Sequence, residues 1–138
     1  MRSVLSVLAV AAAVIAAGCS SSNPVAPGAV TGKWAQPFSI PGSFFEMTLV
    51  ASGTDVAGTG RTCGEAGPCS NIAITGTSDA TGVRLTLVAT QTVPTQGATA
   101  TFTFDGRLVS ANTLRGTWLQ VGLTQIAVDP IVITFQRE

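Results

Sequence analysis

Asp79-Ala80-Thr81-Gly82-Val83-Arg84-Leu85-Thr86-Leu87 holds a turn and a strand in nine residues. Asp, Thr and Gly supply turn chemistry over 79–82. Val83, Leu85 and Leu87 then alternate with Arg84 and Thr86. A period of two places the three apolar side chains on one face and the polar ones on the other. An antiparallel strand with one face on a core reads this way.

The same pattern recurs on both sides. Phe45, Met47 and Leu49 oppose Glu46 and Thr48. Phe102, Phe104 and Leu108 oppose Thr101, Thr103, Asp105 and Arg107. Leu114 and Trp118 oppose Arg115 and Thr117, and Ile131, Ile133 and Phe135 oppose Thr134 and Gln136. Strands are expected near 31–38, 43–52, 55–62, 70–77, 82–90, 98–109, 113–121 and 130–137, with turns at Ser52-Gly53-Thr54, 79–82 and Ser110-Ala111-Asn112. Residues 90–97 form the long polar connection. The expected fold is all-β, an eight-stranded antiparallel up-and-down barrel, which leaves no exposed edges. A two-sheet β-sandwich explains the same pattern. A membrane-spanning barrel would also alternate, with its apolar face outward. Eight aromatic residues with no Tyr cannot furnish two interfacial girdles, and the chain ends Gln136-Arg137-Glu138 without a terminal aromatic.

The first 19 residues have another character. Met1-Arg2 is cationic, Ser3 to Val14 is uncharged and largely apolar, and Ala16-Ala17-Gly18-Cys19 follows. The apolar run falls short of the roughly 20 residues that span a bilayer. This stretch resembles the signal and lipobox of bacterial lipoproteins, with Ala16 where that family usually has Leu. The resemblance implies cleavage after Gly18, diacylglycerol on Cys19, acylation such as palmitate on the new N-terminus, and a lipid anchor in the cell envelope. Ser20 resembles the outer-membrane sorting pattern. Residues 1–18 are thus expected to be a cleaved leader, 19–29 a lipidated flexible tether rich in Ser and Pro, and 30–138 the barrel domain.

Without its 18-residue leader the 138-residue chain keeps 120 residues, with six Lys and Arg against seven Asp and Glu. A near-neutral domain with no basic run has no electrostatic footprint for nucleic acid. With Cys19 lipidated, Cys63 and Cys69 remain in an oxidising compartment. They flank Gly-Glu-Ala-Gly-Pro between two strands, where a disulfide fits. A Cys-x5-Cys spacing with no His in the chain is poor for zinc, and no metal or cofactor is expected.

Thr31-Gly32-Lys33-Trp34 resembles the first strand of the calycin barrels, the lipocalins and avidins. In them a Gly-x-Trp plugs the barrel floor and a cation from the last strand stacks on the Trp. The resemblance implies that Arg137 lies over Trp34 and closes the barrel, a contact worth roughly 0.5–2 kcal/mol. Gly116-Thr117-Trp118-Leu119 is similar to the Trp-bearing seventh strand of avidins. Gln36 and Ser43 stand where avidins carry their first polar pair. Gly60 and Ile133 replace the tyrosine and the acid, so the likeness supports the barrel and not a biotin site.

No catalytic constellation is present. Without His, a Ser–His or Cys–His pair cannot form, and the seven acids stand singly. The chain is expected not to be an enzyme. Two function classes follow. In the first, the interior binds a small apolar ligand through Phe45, Met47, Phe102, Phe104 and Trp118, unless those side chains simply fill the core. In the second, a structural or interaction lipoprotein acts through Leu119, Val121 and Leu123, an apolar strip fit for a protein partner or self-association.

Overall fold

The structure, a computed structural model, describes residues 26, 28–37, 42–64, 69–91, 99–121 and 130–138. The leader, Cys19, most of the tether and Leu123 lie outside the described residues.

Eight strands follow in order: β1 (Gly32–Pro37), β2 (Phe44–Ser52), β3 (Asp55–Cys63), β4 (Ser70–Asp79), β5 (Gly82–Gln91), β6 (Thr99–Ser110), β7 (Thr113–Val121) and β8 (Ile131–Arg137). Each pairs antiparallel with the next, and β1 pairs with β8, so the sheet is a closed barrel. That closure excludes the sandwich. The bounds agree with the sequence pattern within two residues. The largest difference is at β4, which continues to Asp79 because only Ala80 and Thr81 separate it from β5. The Asp79 carboxylate accepts hydrogen bonds from the Thr81 N–H at 2.7 Å, from the Thr81 hydroxyl and from the Gly82 N–H at 3.2 Å. The Thr81 hydroxyl chiefly, then its amide, hold this carboxyl below its ordinary range. The stabilisation they give is present above the unfolded-state pKa and fades as pH falls through the lowered value.

Alternation sets what is inside. Phe45, Met47 and Leu49 are buried while Glu46, Thr48 and Val50 are exposed. Ile72 and Ile74 are buried between exposed Asn71, Ala73 and Thr75. The exterior carries threonine ladders, Thr48 opposite Thr59 and Thr75 opposite Thr86. The apolar face is therefore the interior one, the reverse of a lipid-facing barrel. Gly106 and Gly116 face each other across β6 and β7. A Cβ at either would come within 2.5–2.7 Å of Phe104 Cζ. The absent side chains leave the space that the Phe104 ring fills.

The two ends of the barrel differ. At one end the strands join through two-residue turns, Gly53-Thr54, Ala80-Thr81 and Ala111-Asn112. Gly53 has φ of +62°, the left-handed backbone that tight hairpins require. At the other, the loop end, connections run six to nine residues.

The turn end has a floor. Residues 28–30 form a turn in which the Thr31 N–H bonds the Gly28 carbonyl at 2.9 Å. This turn tucks Val30 under the barrel, and the Trp34 Nε1–H donates to the Val30 carbonyl at 2.8 Å. Trp34 and Val30 are fully buried. Opposite Trp34 in register stands Arg137, whose guanidinium carbon lies 4.4 Å from the indole centroid. Its nitrogens also donate to the carbonyls of Ala29 at 2.6 Å, Thr31 at 2.5 Å and Ala111 at 3.0 Å. Stacking was the contact implied by the sequence; the three carbonyls are additional.

Urea unfolding checks the floor and the packing above it. Trp34→Ala should cost about 3–5 kcal/mol as a large buried aromatic is lost. Arg137→Ala should cost roughly 1.5–3 kcal/mol, the range for hydrogen bonds to a charged group. Urea unfolding of the double variant should show a loss smaller than the sum, because the residues touch. Gly116→Val should cost about 1–3 kcal/mol by overpacking against Phe104, whereas a wild-type urea midpoint would contradict the packing described.

Candidate functional site

Five rings run through the interior. Phe104 meets Phe135 (5.8 Å between centroids), Phe135 meets Phe45 (5.4 Å), Phe45 meets Trp118 edge-on (5.2 Å), and Trp118 meets Phe102 (5.0 Å). Toward the floor the barrel is filled: Trp34, Leu49, Val83, Leu114 and Phe135 are fully buried. Toward the loop end it is not. A cavity of about 450 Å³ lies there, lined by Phe45, Ile72, Phe102, Trp118, Ile131 and Ile133, with Gln36 and Thr62 as its polar members. Its volume falls in the roughly 300–1,000 Å³ range of small-molecule sites.

Register explains how the polar members arrive together. Gln36 on β1 stands opposite Phe45 on β2, and Phe45 opposite Thr62 on β3. Cross-strand partners share a face, so one inward row carries amide, ring and hydroxyl. Across the barrel, Phe102 on β6 and Trp118 on β7 form the aromatic wall. The Thr62 hydroxyl donates to the Phe44 carbonyl at 3.3 Å. Gln36 Oε1 is shielded from solvent and has no hydrogen-bond partner among the described residues. An unsatisfied acceptor of this kind costs about 1–3 kcal/mol. Ser78 Oγ, near the β4–β5 turn, is also buried without a partner; it does not line this cavity.

Of the expected ligand residues, Phe45, Phe102 and Trp118 line the cavity. Met47 and Phe104 do not; both are buried in the packed part of the barrel. Their alternation placed them correctly inward, but depth along the barrel is not encoded in a period of two. Trp34 and Arg137 belong to the floor. Ile72 and Thr62 were not singled out from sequence, Ile131 and Ile133 only as apolar-face residues of the last strand, and Gln36 only through its avidin-like position. The available signal was a polar side chain at an inward position, Gln36 two residues after Trp34 and Thr62 in line with Phe45.

Cys63 and Cys69 form a disulfide at the loop end, with Cα atoms 4.2 Å apart. Arg61 covers its outer side, donating to Cys69 Sγ at 3.2 Å and lying over the Phe44 ring at 5.7 Å. On the barrel wall Leu119, Val121 and Val132 point outward, 38%, 47% and 59% exposed.

A polar hollow of about 220 Å³ on the outer wall involves Lys33, Glu46, Arg61 and Glu138. No group of three or more His, Cys, Asp or Glu suited to a metal occurs among the described residues. No protein-family model, curated protein or solved structure matches this chain.

Two measurements check this geometry. Of the two tryptophans, Trp118 should be quenched by acrylamide and Trp34 should not, read in Trp118→Phe and Trp34→Phe variants. Cys63→Ser should lower stability by about 2–3 kcal/mol for a ring closed over six residues of separation, on the loop-entropy account. Two titratable thiols in protein exported to an oxidising compartment would contradict the disulfide.

Proposed function

We propose that this chain is an envelope lipoprotein whose barrel is a non-catalytic binding module for a small apolar ligand. The observation that carries this reading is the cavity at the loop end, apolar except for Gln36 and Thr62, above a floor that is packed solid. Loops on a rigid scaffold are where binding sites concentrate. Strand number and the Trp34–Arg137 stack support the calycin-like likeness. The lipobox-like Ala16-Ala17-Gly18-Cys19 supports attachment through Cys19, and Ser20 supports the outer membrane, facing the periplasm or the cell surface. The described chain enters the barrel at the floor, so a tether from Cys19 reaches the end opposite the cavity. Attachment at the floor leaves the loop end free to take ligand from the aqueous side.

A second reading rests on Leu119, Val121 and Val132. Their exposure favours contact with a protein partner or a second copy, with the cavity playing no part. Binding of N-phenyl-1-naphthylamine separates the two. The first reading expects saturable fluorescence enhancement at one site per chain, weakened at least tenfold by Ile133→Trp, which fills the cavity. The second expects no saturable site, and a shift to the monomer when Leu119 and Val132 are changed to Ser. Cys19→Ala is expected to abolish palmitate incorporation and release the protein from membranes; labelling of that variant would sink the anchor.

A further inference from the structure

Resting on the reading of the cavity as a binding site, the chemistry of its lining narrows the ligand. None of the eight described residues that line it is ionisable. A charged group placed there would lose its hydration with no counter-charge, a penalty that apolar burial does not offset. The ligand is therefore neutral where it enters. Three of the lining residues are aromatic. Phe102 and Trp118 are inclined at 37°, and Phe45 meets Trp118 at 82°. Rings already arranged both tilted and edge-on offer a planar guest the two favoured aromatic geometries.

The polar specification is narrower still. Gln36 Oε1 has no hydrogen-bond partner among the described residues, and Gln36 lines an otherwise apolar space. A carboxamide oxygen accepts and cannot donate. Thr62 commits its hydroxyl proton to the Phe44 carbonyl, so it too presents an acceptor to the cavity. Gln36 Oε1 and the Thr62 oxygen are thus both acceptors that a proton donor on the guest would satisfy. Few polar groups placed in an apolar pocket are what fix a ligand's orientation.

We propose that the cavity takes an uncharged aromatic ligand bearing one hydroxyl or N–H, which donates a hydrogen bond to Gln36 Oε1 while its ring lies against Phe102 and Trp118. The same lining disfavours a carboxylate placed inside the cavity, since none of the described lining residues is a cation.

Three naphthalenes of one shape test this: 2-naphthol, 2-methoxynaphthalene and 2-naphthoate. Equilibrium dialysis at pH 7 would measure each against the full chain, as processed by its bacterial host and held in lipid nanodiscs, with empty nanodiscs subtracted. One net hydrogen bond corresponds to roughly a three- to tenfold preference. The naphthol should bind tighter than the methyl ether by that factor, and the naphthoate should be the weakest. Gln36→Leu should erase the preference for the naphthol over the methyl ether. Its melting temperature should not fall, because an unpartnered amide is removed. Equal binding of the two neutral probes, or an undiminished preference in Gln36→Leu, would overturn the donor assignment and leave the binding module standing. Tightest binding by 2-naphthoate would overturn the neutrality. Retention of none of the three would overturn both this inference and the reading beneath it.

Discussion

The barrel depends on the clamp that Arg137 makes at its floor. β1 and β8 meet through two register pairs, Trp34 with Arg137 and Ala35 with Gln136, far fewer than the other neighbouring strands share. Such a short seam contributes little by its backbone alone. Arg137 reinforces it by lying over the Trp34 indole and by drawing in carbonyls from the 28–31 turn and the β6–β7 turn. A guanidinium suits this place because it offers five donors in a planar fork and can stack on a ring at the same time. Lysine could supply the charge but not both geometries.

A firm floor leaves the other end free to be something else. Once Trp34, Val30, Leu114 and Phe135 fill the base, the interior above need not be packed to keep the barrel shut. Beyond Ala35 and Gln136 the first and last strands share no further pairs, and the cavity begins beside that parting, where Gln36 and Ile133 meet it. The division of labour is physical. Tight turns and large side chains give rigidity at one end, and the cavity lies at the other, where the Cys63–Cys69 disulfide also sits.

Much of this was legible in the sequence. Strict alternation in 45–49, 83–87 and 102–108 specified strand faces, because a slip of one residue would turn every apolar side chain outward. Short turn signals specified antiparallel neighbours, and eight such strands favoured closure. Alternation alone also allowed a sandwich; closure was read from strand number and from the calycin-like Trp34 and Arg137, and the β1–β8 pairing, between residues about a hundred positions apart, bears it out. The site was half legible. Phe45, Phe102 and Trp118 were marked by face and size, but Met47 and Phe104 bear the same marks and lie in the packed core. Which level of the barrel stays empty depends on how Phe104 sits over Gly106 and Gly116, a packing result with no one-dimensional trace.

The barrel is filled at the Trp34 floor and hollow at the loop end. Xenon enters dry apolar cavities, and methyl-resolved NMR locates it. Under xenon pressure the Ile72, Ile131 and Ile133 methyls should shift progressively, while those of Val83 and Leu114 stay fixed. An unchanged spectrum throughout, or shifts confined to the floor residues, would contradict the account.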